Sequence, residues 1–146
     1  MREARRLALL ERQSMMAGVA RKQALRGLAD AMEAEERSNA LAARSRGLVG
    51  SSAPAPGTTT GAALMGRAAF TASLAQLATT ANDAARDAAR QSEWQAETLA
   101  RVDNRSRRLA ERESEARAAL DAAKARREQA HAASTLARKL QSPRET

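Results

Sequence analysis

From Arg67 to Ser142 the chain runs through 76 residues without a glycine or a proline. A stretch of that length, rich in alanine, arginine, leucine and glutamate, predicts one continuous α-helix. At 1.5 Å per residue it spans roughly 110 Å, far beyond the usual globular helix, and an isolated helix of this kind needs a partner. The partner is legible upstream. Residues 3–46 contain no proline and only Gly18 and Gly27, which predicts a first helical arm of roughly 65 Å. Between the arms, Gly47, Gly50, Pro54, Pro56, Gly57 and Gly61 fall within GLVGSSAPAPGTTTG, fifteen uncharged residues that read as a loop.

Composition excludes the alternatives. Alanine supplies 38 residues, arginine 22, leucine 15, glutamate 12 and lysine 3, the mixture of long helices and coiled coils. Only 25 larger apolar side chains are present, with no Ile, one Phe (Phe70) and one Trp (Trp94), too few for a compact globule. The lack of Ile and Tyr, with three valines in all, removes the residues that sheets are built from. There is no cysteine, so disulfides and thiol chemistry are excluded. The apolar run Leu7–Leu10, closed by Glu11 and Arg12, is too short for a signal-peptide core or a membrane span, and the expectation is a cytoplasmic protein. Leu, Ile, Val and Phe together reach 19 of 146 residues, a level seen in chains that do not fold alone. Uninterrupted heptads oppose that reading.

The heptads are narrow. Stepping alternately by three and four from Leu99 meets Val102, Ser106, Leu109, Glu113, Ala116, Leu120, Ala123, Arg127, Ala130, Ser134 and Ala137. Backwards, the same phase meets Ala88, Ala85, Ala81, Ala78 and Leu74. In the first arm the matching register is Leu7, Leu10, Ser14, Ala17, Arg21, Ala24, Leu28 and Ala31, flanked by Leu25 and Met32. The expected fold is all-α: a long antiparallel two-helix coiled-coil hairpin with a Gly/Pro/Ser/Thr-rich loop. A single elongated domain is expected, with a first arm at 3–46, a loop at 47–61, a tip segment at 62–98, a second arm at 99–141 and a tail at 142–146. Placing Arg2 level with Gln141 ends the first arm near Leu99 and leaves residues 67–98 uncovered by it.

The formal charge of +8 is uneven: residues 1–46 carry +4, residues 47–100 carry −1 and residues 101–146 carry +5. Acidic residues such as Glu11, Glu113 (four before Arg117) and Asp121 ease repulsion between the basic arms. Attraction to an acidic surface is the functional reading of those arms, and a solvated helix face is the plainer one. Nucleic acid would call for stacking aromatics, yet Phe70 and Trp94 lie outside both arms. Enzyme chemistry lacks parts, since His131 is the only histidine and no glycine-rich phosphate loop precedes a helix. Glu33, Glu35 and Glu36 lack metal-ligand partners and read as balancing charge for nearby arginines. No catalytic residue, cofactor or metal is expected.

The segments RAAFTASLAQLATTA, residues 67–81, and SEWQAETLARVDNRSRRLAERESEAR, residues 92–117, set after a glycine-rich break, resemble the FliJ family of flagellar type III export stalk proteins and the related injectisome stalks. The resemblance implies a non-enzymatic stalk in the central pore of a hexameric export ATPase ring, with contacts to an export-gate membrane protein and to export chaperones, at the inner face of the cell membrane. By motif position it implies a gate contact through Phe70, Leu74, Leu77 and Ala81, which step along one helical face. It places the ring contact on the arm ends, where Arg5, Arg6, Arg12, Arg105, Arg107, Arg108, Arg112, Arg126, Arg127 and Arg138 cluster. First-arm aromatics that would support the gate contact are missing here. The competing readings are a generic coiled-coil scaffold or chaperone and a non-specific nucleic-acid-binding protein.

Overall fold

The computed structural model describes residues 2–52, 57 and 59–141. They form an all-α fold of two helices, α1 (Arg2–Ser51) and α2 (Gly61–Gln141), with no strand among the described residues.

The break after the first arm falls later than the glycines suggest. Residues 47–51, expected in the loop, are helical, and neither Gly47 nor Gly50 takes a positive φ. Each interior glycine costs a helix about 1 kcal/mol relative to alanine, but the heptad phase continues through Ala42, Ser45 and Val49, and burial of those positions holds the last turns. Hydroxyl groups then finish the helix: Ser51 Oγ donates to the Leu48 carbonyl at 3.1 Å and Ser52 Oγ to the Val49 carbonyl at 2.8 Å. α2 starts on an N-cap, where Thr60 Oγ1 accepts from the Ala63 amide at 3.3 Å. Residues 53–56 and 58 of the expected loop lie outside the described residues, as does the expected tail, 142–146.

The chain divides into two compact units: Met1–Arg21 with Val102–Thr146, and Lys22–Arg101. In the first unit the helices run antiparallel, since Glu11 meets Arg117 and Arg21 meets Asp103. Its core is small: Leu7, Leu10 and Ala17 of α1 against Leu109 and Ala116 of α2, with Leu120 packed beside them. In the second unit the pairing is again antiparallel, with Gly27 against Gln95 and Arg46 against Asn82. Ala42, Ala81 and Ala85 form its buried cluster.

On α2 every position of the heptad phase read from the sequence is buried or half-buried from Leu74 through Ala123, with Asn82, Ala89, Thr98 and Asp103 half-buried beside it. Two departures matter. The seam ends at Ala123, and Arg127, Ala130, Ser134 and Ala137 are exposed. The stretch without cover is also not 67–98, because α1 residues 27–46 lie against α2 residues 82–95 in the second unit. Flush chain ends would match Arg2 with Gln141, whereas the leucine contacts set Leu7 and Leu10 against Leu109 and Ala116. Uncovered helix is found instead at residues 61–70 and 124–141, every one of which is exposed.

Leu10 is 8% exposed, and Leu10→Ala is expected to cost about 2–4 kcal/mol, a large share of a thin core. Gly27→Ala is expected to do the opposite. Its Cβ would meet Gln95 Oε1 at 2.9 Å, the free end of a flexible side chain that can swing aside, and the helix gains about 0.5–1 kcal/mol of propensity. Urea titrations followed by circular dichroism check both signs, and a destabilised Gly27→Ala protein would mean that Gln95 is locked in place.

Candidate functional site

Charge is divided between the units more sharply than between the arms. The unit containing both chain ends carries sixteen basic and nine acidic residues, net +7. Lys22–Arg101 carries nine and eight, net +1. Folding therefore collects nearly all of the excess positive charge on one helix pair.

That pair is held by a few ion pairs across the helices. Arg117 lies 3.0 Å from Glu11 on the facing helix and 3.3 Å from Glu113 one turn before it, so one guanidinium ties the two helices. Asp103 accepts from Arg21 Nε across the pair and sits 3.6 Å from Arg107 on its own helix. The Arg21 hydrogen bond, followed by the charges of Arg21 and Arg107, holds the Asp103 carboxyl below its ordinary value of 3.8. Glu3, in the first turn of α1, is lowered from 4.5 by hydrogen bonding to its own backbone amide and by the nearby charge of Arg127.

All ten arginines assigned to a ring contact, Arg5, Arg6, Arg12, Arg105, Arg107, Arg108, Arg112, Arg126, Arg127 and Arg138, lie in this unit and are exposed. The structure does bring them onto one helix pair. Besides Arg107, two of them are steadied along their own helix, Arg108 Nε donating to the Asn104 carbonyl at 3.4 Å and Arg126 Nε to the Ala122 carbonyl at 3.3 Å. Beyond Ala123, residues 124–141 present Lys124, Arg126, Arg127, Arg138 and Lys139 against the single acid Glu128, with Leu136 and Leu140 exposed. A helical stretch of this kind attracts acidic surfaces through long-range Coulomb forces.

The four residues assigned to the gate contact all lie in Lys22–Arg101, but they are not equivalent. Phe70 is 61% exposed and Leu77 51%. Leu74 is half-buried, and Ala81 is buried against Ala42 and Ala85. Ala81 therefore belongs to the interior of the helix pair, because the narrow alanine seam turns that position inward; Phe70 and Leu77 remain as the accessible members. Trp94 is 53% exposed, and His131 is exposed.

Comparison with protein-family models, curated proteins and solved structures finds no match. Function must be read from the surfaces themselves. Glu33, Glu35 and Glu36 border an open hollow with Ala29, Met32 and Asn39, and among the described residues no three His, Cys, Asp or Glu side chains come together as a metal site. No helix of the described residues is long and apolar enough to cross a membrane. What the sequence reading missed was the reach of the α1 seam: the three-and-four spacing of Glu35, Ser38, Ala42, Ser45 and Val49 was there to extend it past Ala31.

Because Asp103 and Glu3 are depressed in the folded protein, they stabilise it at pH values above their unfolded pKa, and that contribution is lost as pH falls through the folded value. Thermal melting between pH 6 and about 2 is expected to show a falling midpoint that Asp103→Asn flattens. Equal slopes in the two proteins would remove Asp103 from the linkage.

Proposed function

We propose that this protein is a non-enzymatic coiled-coil stalk of a flagellar type III protein export apparatus. In this reading it is a cytoplasmic protein held at the inner face of the cell membrane, seated in the ring of the hexameric export ATPase and linking that ring to the export-gate membrane protein and to export chaperones. The observation that carries the reading is the concentration of charge: a unit of net +7 whose arginines are exposed among the described residues, with a cationic helical end that α1 does not cover. Such a surface suits an acidic-lined pore. Long-range attraction guides the helix pair in, and alanine-rich helices offer little side-chain bulk to lock it in place. The near-neutral unit, carrying Phe70 and Leu77 in the open, suits a contact made by apolar burial instead.

Two other readings are ordered by the same features. A generic coiled-coil scaffold or chaperone draws support from the exposed apolar residues of Lys22–Arg101. Nucleic-acid binding is weaker, because Phe70 and Trp94 stand in the near-neutral unit, away from the arginines that would meet phosphates.

Export ATPase activity and ring assembly, measured with and without the protein across a salt series, test the stalk reading. Stimulation is expected at low ionic strength and is expected to fade as salt rises. Stimulation that is absent, or indifferent to salt, counts against a pore-seated stalk. In the same system Phe70→Ala and Leu77→Ala are each expected to weaken gate binding about tenfold or more while helix content and ATPase stimulation stay unchanged. Loss of the circular dichroism signal would instead assign those side chains to the fold.

A further inference from the structure

Within the unit that contains both chain ends, a groove of about 410 Å³ runs between α1 and α2. It is lined by Gln13, Met16, Ala17 and Ala20 of α1 with Val102 and Arg105 of α2. Ala17 is buried and Val102 half-buried, so small side chains form its floor, while Met16 is 65% exposed and stands at its edge. One heptad before Met16, Leu9 continues that edge at 58% exposure. The α1 wall carries no charge from Leu9 through Gln13, Met16 and Ala20. A hollow of this size and character takes one or two large apolar side chains.

The α2 wall is the reverse. Arg105 lines the groove, and Arg108 and Arg112, three and seven residues further on, share its side of the helix. All three are exposed, and none makes an ion pair among the described residues. The arginines at the helix contact itself are occupied, Arg21 and Arg107 by Asp103, Arg117 by Glu11 and Glu113. The first acid in the rows of Arg105 and Arg108 is Glu115, beyond Arg112, and Glu111 lies one row further out. An apolar floor beside unpaired guanidinium groups restricts the occupant. A second copy of the chain would set arginine against arginine. Nucleic acid would meet the charges, but no aromatic side chain lines the groove for its bases to stack on, and it would leave Met16 and Leu9 unburied. A helix with leucines along one stripe and carboxylates beside them satisfies both walls at once. Its carboxylates, three or four and then seven residues apart, match the spacing of the arginines, which span roughly 10 Å at helical rise.

We propose that this groove, with Arg105, Arg108 and Arg112 along one wall, is a docking site for an acidic amphipathic helix of a partner protein, whose apolar side chains fill the hollow and whose carboxylates bind the three guanidinium groups. The same arginines belong to the proposed ring contact, but the site does not depend on the stalk reading: peptide binding tests it without the ATPase, and ATPase stimulation tests the stalk without the peptide.

The probe is a fluorescently labelled synthetic helical peptide with leucines along one stripe and glutamates flanking them at three-and-four spacing, titrated with the full chain and followed by anisotropy. A dissociation constant of about 1–50 µM is expected at low ionic strength. Replacing the leucines of the peptide by alanine, or its glutamates by glutamine, should each weaken binding about tenfold. Met16→Glu should do the same and Arg105→Ala or Arg112→Ala about fivefold, with helix content unchanged by circular dichroism, since all three side chains are exposed. Lys22→Ala, which removes an exposed positive charge elsewhere, should change binding by less than about twofold. Absence of binding overturns the proposal, as does an alanine peptide that binds as well as the leucine one, or a Lys22→Ala loss equal to that of Arg105→Ala. So does an unlabelled single-stranded oligonucleotide that displaces the peptide at lower concentration than unlabelled peptide does, because the surface would then be a phosphate site.

Discussion

Close approach of two helices along an alanine-lined face is the contact on which everything else in this protein depends. Alanine contributes little apolar area, so Ala17, Ala24, Ala31, Ala42, Ala81, Ala85 and Ala116 hold the helices together mainly by letting their backbones come near. Among the described residues only Leu7, Leu10 and Leu109 are large side chains at or below 9% exposure. The specificity of register must then come from those leucines and from ion pairs that cross between helices, Glu11 with Arg117 and Arg21 with Asp103.

The same thinness shapes the surfaces. A narrow seam uses few positions per turn, so most of each helix faces outward, and the character of the outward positions decides what meets the protein. In one unit those positions are dominated by arginine, in the other by alanine, leucine and balanced charge. The first can act at a distance through its field, the second only by contact. That division is the physical basis of the proposal that one surface meets an acidic cavity and the other apolar partners.

The expected heptad phase on α2 was legible because three-and-four spacing survives whatever the helix packs against. From Leu74 through Ala123 every position of that phase is buried or half-buried. Its end did not show in the pattern: Ala130 and Ala137 look like seam residues and are exposed, since no α1 residue reaches that level. Ala81 is the converse. Motif position offered it to a partner, and the pairing of the helices buried it with Ala42 and Ala85. Gly47 and Gly50 were read as breakers, yet a glycine ends a helix only when nothing beyond it is worth burying, and Val49 lies between them half-buried.

Sequence by itself determined that the chain is two long helices with a thin heptad seam, because periodicity, helix propensity and the placement of proline and glycine are local properties carried by neighbouring residues. It also determined that positive charge gathers toward the two ends. Only the tertiary structure decided the register between the helices, and with it which residues are covered, which arginines share a surface and which alanines are interior. Many registers of two alanine-rich helices satisfy the same heptads. The choice among them rests on contacts between residues 36 to 106 positions apart, which no local pattern encodes.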